Sequence, residues 1–136
     1  MTRAVGTRAN EPSACPCGSG PAYAACCGRF HDGPQRGLAP TAEALMRARY
    51  SAYALGRDDV LLETWHPSTR PAAIEPRPAG LRWLGLTVRH HETTGPDTAT
   101  VEFVAVSKLG GRADRLVEKS RFVRVADRWF YLDAAG

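Results

Sequence analysis

Four cysteines packed into CPCGSGPAYAACC, from Cys15 to Cys27, with none elsewhere, constrain this chain more than any other feature. Disulfides fit the spacing poorly. Cys15 and Cys17 are separated by one residue and Cys26 and Cys27 are adjacent, so a bridge inside either pair is strained. Two crossing bridges imply an oxidising compartment, and the N-terminal MTRAVGTRANEPSAC has no apolar targeting stretch. A metal fits better. Zn²⁺ takes four thiolates tetrahedrally at about 2.3 Å, and a tight turn brings both pairs onto one ion. Gly18 and Gly20 let the backbone fold closely after the first pair and turn amide N–H groups toward sulfur. With Cys15, Cys17, Cys26 and Cys27 filling every position, no water remains on the ion. The expectation is structural zinc, not hydrolytic zinc. His31 reads as an exposed linker histidine rather than a further ligand.

The rest of the chain changes character in steps. Residues 1–13 are small, polar and without periodicity, and read as a disordered tail. Residues 14–30 form the knuckle, and 31–40 (HDGPQRGLAP) a Gly- and Pro-rich linker. Thr41 is placed to cap a helix over about 41–55, with Leu45, Tyr50, Tyr53 and Leu55 as its apolar stripe and Gly56 closing it. Asp58 or Asp59 caps a short second helix that Pro67 stops. Prolines 67, 71, 76 and 78 make residues 67–80 an irregular crossing. From Arg82 the period changes to two. Runs around Leu84–Val88, Val101–Val106, Arg115–Val125 and Trp129–Leu132 are separated by turn residues at 95–97, 110–111 and 126–127. Helices followed by an antiparallel meander predict an α+β domain over 41–136.

Composition excludes several classes. At 43% hydrophobic and 24% charged residues the chain can bury an ordinary core. No apolar run reaches the roughly 20 residues of a membrane span, so a soluble cytoplasmic protein is expected. The formal charge is +4, but almost all of the basic residues are arginines scattered along the sequence. Four thiolates around a divalent ion lower that charge to about +2. Arg112, Arg115, Arg121, Arg124 and Arg128 are interrupted by acids, so nucleic acid is not an expected partner. His90 and His91, adjacent at a strand end, point to opposite faces and do not readily clamp one metal. No phosphate-binding Gly loop and no Ser-His-Asp arrangement is present.

Two resemblances sharpen this reading. The C-x-C-x8-C-C spacing with its CPCGSG lead-in resembles the SEC-C zinc motif, best known from the C-terminal tail of the preprotein translocase ATPase. That resemblance implies a docking element for protein partners. The blocks AEALMRARYSAYALGRDDVLLETWHPSTR, WLGLTV, VEFVA, EKSRF and WFYLD together resemble the YchJ-like family of small, uncharacterised bacterial proteins. The second resemblance spans about residues 14–134 and implies a zinc knuckle on an NTF2-like domain, a curved antiparallel sheet wrapped around helices with a pocket at its open end. Longer members are similar but end in a second knuckle, whereas this chain stops at Gly136.

In such a cone, Glu118 and Ser120 share a strand face with Phe122 and can look inward. Arg49 and His66 are the partners expected for Glu118. The expected pocket is Arg49, Tyr53, His66, Glu118 and Ser120, walled by Trp65, Trp83 and Tyr131, with His66 or Glu118 as the candidate proton-transfer group. The alternative is a satisfied internal network with the same residues in the core. The first functional expectation is a binding protein whose knuckle, on a flexible leash, docks a protein partner and whose pocket takes a peptide or small ligand. A lyase- or isomerase-type enzyme is the second reading and a ribosome- or RNA-associated factor the third. Homodimerisation through convex sheet faces is a further expectation from the fold.

Overall fold

The computed structural model describes residues 14–135, so the expected tail over 1–13 lies outside the described residues. A 3₁₀ turn at Tyr23–Ala25 leads into α1 (Gly28–His31). Helix α2 (Ala42–Leu55) and helix α3 (Asp58–Glu63) follow, and then strands β1 (Arg82–Gly95), β2 (Thr98–Leu109), β3 (Arg112–Val125) and β4 (Arg128–Ala134). The strands form one antiparallel sheet in the order β1-β2-β3-β4, as the period-two runs require. The fold is α+β. Among the described residues, no helix is long and apolar enough to cross a membrane.

Local chemistry sets the element boundaries. The Thr41 hydroxyl accepts from Ala44 N–H at 3.0 Å and starts α2. Gly56, at φ 73°, ends it, with Arg57 N–H reaching back to the Ala52 carbonyl at 2.8 Å in a Schellman pattern. Because Gly56 delivers the chain straight into the next helix, Arg57 occupies the N-cap position of α3, not Asp58 or Asp59 as expected. The two acids lie in the first turn instead, where the helix dipole favours negative charge. Ala126 and Asp127 both have positive φ, 51° and 66°, the signature of a type I′ hairpin between β3 and β4.

Register shifts at Trp83/Gly85, Val88/His90, Thr93/Gly95 and Arg121/Phe122 bend the sheet. It curls around α2. Leu86, Val88, Val101, Phe103, Ala105, Phe122, Trp129 and Tyr131 share one core with Leu45, Met46, Ala48 and Tyr50 of the helix. The four cysteines and Phe30 belong to that same core. Helix α2 is therefore covered on two sides, by the sheet and by the knuckle. This explains why Arg49, Ser51 and Ala52 are buried along with its apolar stripe, while Leu55, expected on that stripe, is exposed.

Part of the expected linker over 31–40 packs into the domain. His31, read from the sequence as an exposed linker residue, is completely buried. Its Nε2 lies 2.7 Å from the Ala48 carbonyl, which only accepts, so Nε2 carries the proton. Nδ1 then accepts from the Tyr23 hydroxyl at 2.6 Å. Burial pushes its pKa down and keeps the ring neutral. Gly37 and Ala39 are also interior.

Candidate functional site

The knuckle closes by short-range backbone bonds. Gly18 N–H bonds the Cys15 carbonyl and Cys15 N–H bonds the Pro21 carbonyl, both at 3.0 Å, with Gly18 and Gly20 at φ 79° and 112°. On the other side, Cys26 N–H bonds the Tyr23 carbonyl and the chain turns into α1 directly after Cys27. All four Sγ atoms lie within 4.8 Å of one another, and Cys17 Sγ is 3.6 Å from Cys26 Sγ. A tetrahedral ion with metal–sulfur distances of about 2.3 Å needs sulfurs about 3.8 Å apart, so the donor set fits one. All four thiols are free of disulfides. Both ring nitrogens of His31 are already engaged, which removes it as a further ligand.

The surroundings support thiolates. Ser19 Oγ lies 3.3 Å from Cys17 Sγ and 3.0 Å from Cys26 Sγ. The Cys27 thiol, with help from Ser19, lowers the Cys17 pKa, and the same contact pushes Cys27 up. Helix α2 provides the remaining contacts: Arg47 Nη1 donates to the Cys17 carbonyl at 3.1 Å, and Ser51 Oγ lies 3.4 Å from Cys15 Sγ.

The opposite face of α2 borders a cavity of about 280 Å³ between helix and sheet. Of the residues expected in a pocket, Arg49, Tyr53, Trp83, Glu118, Ser120 and Tyr131 line it. Glu118 accepts from Ser120 Oγ at 2.7 Å and from the Tyr131 hydroxyl at 3.4 Å. Arg49 does not pair with it. Its Nη1 donates to the Leu61 carbonyl and to Thr64 Oγ1, each at 2.8 Å, and its guanidinium rests on the faces of Trp65 and Tyr131. Burial lowers its pKa to about 10, so it remains a cation at neutral pH. Burial also pushes the Tyr131 phenol up and keeps it protonated, with Glu118 adding to the effect.

Two expected pocket residues are placed elsewhere. Trp65 forms a bridge with Tyr131 of β4 and stacks edge-on against it, behind the cavity wall. His66, one residue on, therefore points to the other side of the sheet. Its ring packs near Phe130, and its Nδ1 accepts from Ser68 N–H at 3.1 Å. His66 and Glu118 accordingly do not face each other as proton-transfer partners. The lining also includes Met46, Tyr50, Phe103, Ala105 and Leu116, which sequence reasoning left out of the site. Their signal was present: Met46, Arg49, Tyr50 and Tyr53 recur at helical spacing, and Leu116 shares the parity of Glu118.

Comparison with known proteins agrees with this geometry. Residues 41–134 match the family model described as the YchJ middle NTF2-like domain. A UPF0225 protein of Methylibium petroleiphilum is 67% identical over 124 residues, covering 91% of this chain and 89% of the relative. One from Bordetella parapertussis is 52% identical, covering 91% and 93%. The solution structure of a SEC-C motif containing protein from Rhodopseudomonas palustris superimposes with a TM-score of 0.75 at 32% identity, over 90% of this chain and 97% of the other. A crystal structure of a SEC-C motif containing protein from Psychrobacter arcticus gives 0.73 at 29% identity, over 88% and 80%.

Proposed function

The chain belongs to the YchJ family with its middle NTF2-like domain, and from that premise we propose that it is a small-ligand-binding protein whose cavity is held in shape by a structural zinc ion. The observation that carries this reading is the cavity itself: about 280 Å³, walled by aromatic side chains, with a buried cation and a carboxylate on its lining. Cys15, Cys17, Cys26 and Cys27 would hold the ion, which supplies cross-linking and charge neutralisation and no open coordination position. Free clustered thiols suit a reducing, cytoplasmic compartment. Because the thiols share a core with the sheet, the knuckle acts first as a staple on α2, with partner docking a secondary use of its exposed rim.

A fragment screen by NMR on the metal-loaded chain tests the reading. Binders should shift the resonances of Trp83, Tyr131 and Leu116. Leu116→Arg, at a position 45% exposed, should weaken those binders while leaving stability within about 0.5 kcal/mol. Fragments that bind only outside the cavity, or equally well to the Leu116 variant, would contradict it.

A further inference from the structure

The two charges on the cavity lining are not spent on each other. Arg49 is 5% exposed, and among the described residues it has no carboxylate partner. Its Nη1 is engaged by the neutral acceptors of Leu61 and Thr64, the Tyr53 hydroxyl lies near the guanidinium, and no carboxylate among the described residues takes any of its nitrogens. A buried cation held by neutral acceptors and ring faces, with no carboxylate, calls for an anion, and the guanidinium fork matches a carboxylate in two parallel hydrogen bonds. Trp83, also on the lining, keeps its indole N–H buried without an acceptor among the described residues. Tyr50 and Trp83, edge to face at 5.8 Å, give the cavity a flat apolar side.

Glu118 narrows the choice. It sits on the same lining and repels a bare anion, but Ser120 and Tyr131 leave its carboxylate with capacity for another donor. A volume of about 280 Å³ lies at the small end for ligand sites and suits a single ring with a short side chain. We propose that the cavity takes a small aromatic carboxylate that also carries a hydroxyl or ammonium group, with the carboxylate on Arg49 and the donor on Glu118. This rests on the ligand-binding reading and assigns its chemistry.

Calorimetric titration of the metal-loaded full chain with 4-hydroxyphenylacetate, 4-hydroxyphenylacetamide and phenylacetate tests it, with the Trp83 indole N–H resonance as a local reporter. The hydroxy acid should bind about tenfold more tightly than its amide, and also more tightly than phenylacetate. Glu118→Leu, which has no acceptor, should remove the preference for the hydroxyl and Arg49→Gln the preference for the acid. Arg49 also ties α2 to α3, so the acid-to-amide ratio in the unaltered chain stands as a test without that variant. Equal binding of acid and amide overturns the assignment of Arg49 and leaves the cavity reading in place. No shift at Trp83 with any of the three overturns the ligand class, and the fragment screen then decides the cavity reading independently.

Discussion

Replacing His31 with alanine tests how firmly the knuckle is fastened to the domain. The imidazole is fully buried and bonded to both the Ala48 carbonyl and the Tyr23 hydroxyl. Losing two hydrogen bonds costs about 1 kcal/mol each, and the vacated volume adds a cavity term, so the expected loss is about 3 kcal/mol. An exposed linker histidine would cost under about 0.5 kcal/mol. Urea unfolding of the metal-loaded chain, followed by tryptophan fluorescence, separates these values. Tyr23→Phe removes only the hydroxyl, and a double-mutant cycle with His31→Ala should return a coupling of about 1 kcal/mol. The pH dependence has a fixed sign. Burial lowers the folded pKa of His31 below its ordinary 6.5, so the unfolded chain binds the extra proton and stability falls as pH drops below about 6.5. The fall should be shallower in His31→Ala than in the unaltered chain. A variant as stable as the parent, with the same acid slope, would refute the stapled knuckle.

Two further substitutions have expected signs that differ from simple propensity. Gly28→Ala improves helix propensity, yet the added Cβ would stand 2.7 Å from the Tyr23 carbonyl oxygen and 3.0 Å from its ring, so denaturation should show a loss of about 1 to 3 kcal/mol. Ala126→Gly should raise stability by about 0.5 to 1 kcal/mol in the same assay, because Ala126 holds φ at 51° in the β3–β4 turn, where a Cβ is unfavourable.

What the sequence made legible was local. The three hairpin turns, the caps at Thr41 and Gly56, and the clustering of Cys15, Cys17, Cys26 and Cys27 all follow from neighbours a few residues apart, and the structure places them where the residue types indicated. The readings that needed changing depended on distant partners. His31 sits in a Gly- and Pro-rich string with no periodicity, and its burial is decided by Ala48 on α2. Arg47 and Ser51 look like a polar helix face until the knuckle is laid over them. Inward parity correctly grouped Glu118, Ser120 and Phe122, but His66 follows a bridge between Trp65 and Tyr131 that no spacing announces. Arg49, expected to pair with Glu118, is held instead by aromatic faces, a carbonyl and a hydroxyl from elements distant in the sequence.

The central claim is that one metal ion, bound by the four thiols, holds the whole sheet domain together through α2. Thiolate–zinc sites in small peptides contribute about 10 to 16 kcal/mol, comparable to the entire stability of a domain of this size. Trp65, Trp83 and Trp129 all lie outside the knuckle, in the helix–sheet part of the chain, so their fluorescence follows the domain. The decisive measurement is metal content by mass spectrometry together with tryptophan-monitored thermal unfolding before and after chelation. The account predicts one zinc per chain and a domain transition that falls steeply or vanishes when the ion is removed. A chain with no bound metal, or a domain transition unchanged by chelation, would contradict it.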